Sequence, residues 1–468
     1  MRRRAFWQTC PGFASVGGGA LDRFKWTLPL SLAGRMVWEK PQRILLLVST
    51  LTLVATLALL ARRVVPATQL PLACASPPSS APQSPAQWSP WGADLAGPIP
   101  RLGVPSRSAV AAAITALVVR QLAPFSHLGG FHLGGLDGLW MADPFKSARF
   151  QIANHSLYVD PAQWPPMFRM HAFLRWPRAA GMGDILLRLL AQDNARRARE
   201  VSAEAVGRSA SEPDVRDVPD VDVMLDVGDE ASLRVSVRAA FPRFSSVHCP
   251  DAYYEPSWPY FLKGFGGRDL DELDGTCLAR LTQRTDGDGR KAVGVLRANW
   301  AWNESPRAGL AELGRVAPDH LDCVPDRHQP LQEQQAKFRY VVYAGGPFHG
   351  SDRLKWLLCT DMVVFKHDTP CDEWYGLLLR PWEHYVPYTL ETLVARIDWA
   401  RAHPTECAQI VRNANDFARA YVTVDAHLLY ARILLQHYHA LQRWTTAPTN
   451  GSVRVADFAA LDAARPPF

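Results

Sequence analysis

Residues 338–365 constrain the fold more tightly than any other part of the 468-residue chain. Phe338 to Tyr343 (FRYVVY) is a run of β-branched and aromatic residues, and Ala344-Gly345-Gly346-Pro347 is a turn. Asp352 to Cys359 (DRLKWLLC) has helical period, and Met362 to Phe365 (MVVF) is strand-like again. Strand, glycine turn, helix and strand make a βαβ unit. Such a unit needs a parallel sheet, helices on its faces and ligand chemistry at the carboxyl ends of its strands. The pattern begins earlier, with Val293 to Arg297 as strand and Pro306 to Leu313 as helix. Beyond it, Leu390 to Trp444 is nearly all helical in period, interrupted near His403-Pro404.

The first half is less regular. Ser106 to Leu122 is Ala-rich behind a capping serine and reads as a helix; its uncharged core is too short for a membrane span. Ala148 to Val159 has two apolar runs around Asn154-His155, a hairpin signal. Gly181-Met182-Gly183 reads as a turn leading into a helix, Asp184 to Gln192, capped by its aspartate. A polar stretch from Asn194 to Arg216 precedes a strand, Val221 to Val227, that ends at Gly228-Asp229. The expected architecture is α/β in two halves, closed by C-terminal helices, with a cleft between the lobes.

Ile44 to Ala61 is an 18-residue run without a charge. At ~1.5 Å per residue it reaches about 27 Å, enough for a thin bilayer. Eight basic residues precede it against Asp22 and Glu39, which places the N-terminus in the cytoplasm. Residues 1–63 hold ten Lys and Arg against two Asp and Glu, leaving 41 against 43 in the remainder. The net charge of +6 therefore belongs to the N-terminal segment and implies no nucleic-acid surface. Nine prolines between Pro66 and Pro100 make a stem. Tail, anchor, stem and lumenal body is the layout of a Golgi processing enzyme, and equally of a stalked receptor. Sequons at Asn154, Asn303 and Asn450 agree with a lumenal body. Cys323 and Cys359 bracket the FRYVVY strand and are the pair expected to form a disulfide.

Chemistry concentrates at a few positions. His349-Gly350-Ser351-Asp352-Arg353-Leu354-Lys355 sets a hydroxyl and two cations at a helix start, suited to a phosphate or simply to a solvated cap. Arg297 and Arg307 flank Asn299 between a strand and a helix, and suit a diphosphate or the surface. Asp229, just past a strand, suits a general base or a turn cap. Trp258 suits stacking on a sugar or core packing. The acidic pairs Asp220-x-Asp222, Asp269-x-Asp271 and Asp286-x-Asp288 are expected by chance among 45 acidic residues and are not read as metal sites.

These segments, in order, resemble glycosyltransferase family 90, which includes protein O-glucosyltransferases of the Rumi type and fungal capsule-associated xylosyltransferases, with plant members nearest in flavour. The resemblance rests on QLAPF (121–125), ARFQIANHSLYV, VPDVDVMLDVGDE, EPSWPYF, the Arg297-Ala298-Asn299 strand end, HGSDRLK and RPWEHYVPY, and covers roughly residues 110–445. It implies a GT-B fold of two Rossmann-like lobes, each with a parallel sheet, Asp229 as general base, and donor contacts from Arg297, Asn299, Arg307, Ser351, Arg353 and Lys355, with Trp258 a weaker substrate contact. It implies a UDP-sugar donor, a glycan or protein acceptor and no bound metal. The organisation expected is a cytoplasmic tail (1–43), anchor (44–61), stem (62–105), acceptor-side lobe (106–290), nucleotide-sugar lobe (291–445) and tail (446–468). The resemblance thus implies an inverting glucosyl- or xylosyltransferase of the Golgi membrane (or ER membrane); the alternative is an inactive relative acting as a lectin-like or scaffold protein.

Overall fold

In the computed structural model, residues 99–127, 129–132, 147–160, 172–205, 216–226, 290–298, 306–325, 337–344, 353–367 and 372–463 are described. All fall within one compact unit, Pro85–Phe468; the anchor and most of the stem lie outside the described residues. The first half contributes helix α1 (Arg107–His127), strands β1 (Ser147–Ala153) and β2 (Ser156–Val159), helix α2 (Ala172–Ala205) and strand β3 (Val221–Asp226). The second contributes β4 (Lys291–Ala298), α3 (Pro306–Val316), β5 (Leu321–Pro325), β6 (Phe338–Tyr343), α4 (Arg353–Leu357), β7 (Val363–His367) and β8 (Val386–Tyr388). Helices α5 (Leu393–Ala402), α6 (Pro404–Tyr421) and α7 (Val424–Leu441) follow, then β9 (Val453–Val455) and α8 (Phe458–Ala463).

The βαβ unit forms as expected: β6 and β7 pair in parallel through Tyr340↔Val363 to Tyr343↔Lys366. They belong to a five-stranded parallel sheet in the order β5-β4-β6-β7-β8. Parallel sheets bury both faces, and β6 shows how. Phe338, Val341 and Tyr343 enter one core and Tyr340, Val342 and Ala344 the other. α3 and α5 cover the second face through Leu310, Leu393 and Ile397. α4 and α6 cover the first, through Leu354, Leu357, Ala414 and Phe417 among others. β5 and β8, five and three residues long, are edge strands too short to show a period in sequence.

The first half departs from expectation. Its described strands form an antiparallel sheet, β3-β1-β2-β9, where a parallel lobe was anticipated. Phe150, Ile152 and Val223 of that sheet share one continuous core with Val341 and Val364 of the parallel sheet. Residues 446–463, set apart as a tail, return to the body: β9 pairs with β2, and Val455 and Leu461 are buried. The hairpin at Asn154-His155 is as expected, both residues taking positive φ.

Gly181-Met182-Gly183 is not a turn; α2 runs straight through it for 34 residues. Gly183 answers to packing, since a Cβ there would lie 2.8 Å from Leu461 and 3.0 Å from Phe150. Asp184 consequently sits inside the helix and accepts from Arg188 Nε at 2.9 Å. α1 does begin at its serine, Ser106 Oγ accepting from Ala109 N–H at 3.2 Å. By length and composition α1 is apolar enough to cross a membrane, yet Ile114, Leu117, Val118 and Leu122 are buried in the core. The Cys323–Cys359 disulfide is not present. Cys359 lies in the core on one face of the parallel sheet, while Cys323 packs against the core on the other.

Candidate functional site

The parallel sheet has one point where its crossovers diverge. β4 leads through α3 to β5 on one side, and β6 leads through α4 to β7 on the other. α3 and α4 lie on opposite faces. The helices therefore part at the carboxyl ends of β4 and β6, which is where open α/β sheets leave a ligand crevice.

Three of the expected donor residues lie on the elements that border this point. Arg297 is the next-to-last residue of β4, in register with Val324 of β5. Arg307 occupies the first turn of α3 and Arg353 is the first residue of α4. Arg307 is not a surface arginine; it is 7% exposed. Burial pushes its guanidinium below the ordinary arginine range, and interaction with Tyr343, the last residue of β6, partly opposes this. A buried guanidinium near a strand end suits a bound anion better than bulk solvent does. Arg353 is half-buried. Asp229, Trp258, Asn299 and Ser351 lie outside the described residues.

Lys355 turns inward. It is 4% exposed, and its Nζ lies 3.3 Å from Glu373 Oε2. Next to it, Asp372 takes Lys366 of β7 at 2.7 Å. Two adjacent acids thus hold one lysine from α4 and one from β7, a clip across the βαβ unit. A Cβ on Gly376 would come 2.5 Å from Asp372 Oδ1, so only glycine fits beside it. Behind the clip, Trp374 stacks on Tyr430 of α7 at 4.4 Å, and Tyr430 donates to Gln121 of α1 at 2.7 Å. Sequence reading missed Lys366, Asp372, Glu373 and His427, because buried ion pairs leave no periodicity. The only available signal was two acids set directly before Trp374-Tyr375.

Asp222, one of the discounted acidic pair, is held away from any metal role by the protein itself. Arg149 reaches it at 2.8 and 2.5 Å and Gln151 at 3.0 Å, and it is 1% exposed.

Two histidines are kept neutral inside the body. Burial, then the charge of Lys355, pushes His427 down to about 3 against a hydrogen bond to the Thr423 carbonyl. Burial, then Arg380, pushes His384 down to about 3. Both folded values lie below the unfolded 6.5, so the unfolded state binds more protons between those limits. The stability this provides is whole above pH 6.5 and is lost as pH falls toward 3. Each histidine is expected to contribute a slope of about 1.4 kcal/mol per pH unit in that window. Urea midpoints measured from neutral to mildly acidic pH check this, and a flat profile would refute it.

Residues 303–463 match the family described as Glycosyl transferase family 90. The chain is 36% identical over 108 residues to Protein O-glucosyltransferase 2 of Danio rerio, covering 23% of this chain and 21% of that protein. It is 30% identical over 154 residues to human Protein O-glucosyltransferase 3, covering 30% and 29% respectively. It is also 30% identical over 159 residues to Uncharacterized protein 035R of Invertebrate iridescent virus 3, covering 27% and 14%. The matched stretches span less than a third of each relative. The family match contains Arg307, Arg353 and Lys355; Asp229, Arg297 and Asn299 precede it.

Proposed function

We propose that this chain, whose residues 303–463 match glycosyltransferase family 90, is an inverting glycosyltransferase using a UDP-sugar. The sugar moved is glucose or xylose, and the acceptor is a hydroxyl of a glycan or protein. The observation that carries this reading is the position of Arg307 and Arg353 at the starts of the two helices that follow β4 and β6, the strands flanking the switch point of the parallel sheet. As the bond from anomeric carbon to phosphate breaks, negative charge grows on the departing UDP. Preorganised guanidinium groups stabilise that charge most where water is excluded, and Arg307 is already buried there. Lys355 supports the site through its ion pair with Glu373, which fixes α4 beneath Arg353. Asp229, three residues beyond the end of β3, is the proposed general base for the acceptor hydroxyl. Asn299, Ser351 and Trp258 complete the proposed substrate contacts, and no metal is required in this mechanism.

The GT-B layout is part of the same proposal. The parallel α/β sheet, with its diverging crossovers, supports residues 291–445 as the nucleotide-sugar lobe. The acceptor side would be built on the antiparallel sheet. The charge-free run at 44–61 with its basic flank supports a single-pass type II Golgi protein with a lumenal body.

UDP release from a panel of UDP-sugars by the detergent-solubilised full chain tests the activity. Turnover with UDP-glucose or UDP-xylose is expected. Arg353→Ala is expected to weaken UDP binding about tenfold or more in calorimetry, through loss of a charge-assisted partner. UDP affinity with no turnover on any donor would replace the enzyme by the inactive, lectin-like reading. Unchanged affinity in Arg353→Ala would return Arg353 to a helix cap.

A further inference from the structure

Two of the three sequons fall among described residues, and their backbones separate them. Asn154 and His155 form the β1–β2 turn with φ of 47° and 56°. A two-residue hairpin with both central φ positive favours asparagine for its conformation alone, so the turn itself accounts for Asn154. Asn450 is different. It is the second residue of a turn closed by Ser452 N–H donating to the Thr449 carbonyl at 3.0 Å. The positive φ of that turn, 93°, falls on Gly451. A turn of this kind demands glycine at its third position and makes no demand for asparagine at its second. Asn450 is exposed and makes no hydrogen bond to a described residue. Folding therefore gives no reason for an asparagine there.

Its surroundings supply one. The turn leads directly into β9, the outer strand of the antiparallel sheet among the described residues. Val453 begins that strand 49% exposed. That edge is three residues long and carries one exposed charge, Arg454, and a bulky hydrophilic group beside such an edge protects it further from pairing with a second chain. A large hydrophilic branch three residues before Val453 would cover that edge. The base of the turn is firmly held, with Thr449 and Ser452 hydroxyls 2.7 Å apart and both within 3.4 Å of Gln151 Oε1. A branch on Asn450 would thus project from a fixed point.

We propose that Asn450 carries an N-linked oligosaccharide. The inference rests on the lumenal placement of the body proposed above. In the transfer, a bond forms between Asn450 Nδ2 and the anomeric carbon of an oligosaccharide carried on a lipid diphosphate. The bond from that carbon to the phosphate oxygen breaks, the diphosphate leaves with the electron pair, and the amide proton passes to a base of the host's transferase.

The test is expression of the full chain in a eukaryotic cell, with two independent readouts. Protease protection of the body in intact microsomes reports placement. Glycosidase treatment followed by peptide mass spectrometry reports Asn450, which becomes aspartate on glycan removal. The expected result is a protected body with a glycan at residue 450. Asn450→Gln and Ser452→Ala should each remove one glycan's mass from the chain, while Ser452→Thr, which preserves the recognition hydroxyl, should retain it. A protected body with unmodified Asn450, including one glycosylated only at Asn154 or Asn303, overturns the inference and leaves the placement standing. An unprotected body overturns the placement, and the inference with it.

Discussion

Glu373→Gln is expected to lower the stability of the body by about 3–5 kcal/mol, the usual cost of removing one partner of a buried ion pair. The loss comes from what remains. Lys355 is 4% exposed, and the substitution replaces the carboxylate 3.3 Å from its Nζ by a neutral amide in a low-dielectric interior beside the neutral ring of His427. Replacing both residues is a different matter. Lys355→Met with Glu373→Gln removes the buried charge and should restore most of the lost stability. Urea denaturation of the two single variants and the double variant measures the difference. Singles that unfold like the parent would show that the pair is solvated and that α4 is held by its apolar residues alone. The experiment also bears on function, because α4 carries Arg353 two residues before Lys355. A loosened α4 should weaken UDP binding, and the double variant should recover it.

Asp229→Asn is expected to reduce transfer by about 10²–10⁴-fold, the range for loss of a general base, while UDP affinity stays near that of the parent. Shape is conserved and basicity removed. The argument is one of position. β3 belongs to the antiparallel sheet and ends at Asp226, three residues before Asp229. The arginines proposed for the diphosphate stand on α3, α4 and β4, around the parallel sheet. A base supplied from the first sheet acts on the acceptor, so its loss should spare the donor phosphates. Steady-state kinetics combined with calorimetry separates the two. Loss of donor affinity together with transfer would make Asp229 a donor ligand or a structural cap, and full retention of transfer would move the base elsewhere.

Much of the second half was legible because its elements are long or strongly patterned. FRYVVY occupies β6 over the expected residues. The helical tail breaks where His403-Pro404 said it would, with proline entering at the first position of α6. Arg307 and Arg353, expected as donor contacts, stand at the starts of the helices that follow β4 and β6, beside strand ends to which a parallel sheet sends its ligands. Lys355 shows the limit of that reasoning. Two residues beyond Arg353 on a short helix, it faces the opposite way and is taken up by Glu373, a partner 18 residues later that no local pattern announces.

Sequence alone determined the parallel α/β sheet, the βαβ unit and the helical closure, because period and turn chemistry are local properties that each segment carries by itself. Tertiary structure decided the rest. Gly181 and Gly183 look like turn residues, yet α2 continues through them, and only the approach of Leu461 and Phe150 shows why position 183 is glycine. β9 is three residues of a presumed tail and becomes a strand because the edge of β2 offers it hydrogen bonds. Cys323 and Cys359 flank one strand in sequence, yet the sheet's two faces hold them apart. In each case the deciding energy lies in a contact between distant segments, and such contacts exist only once the chain has closed.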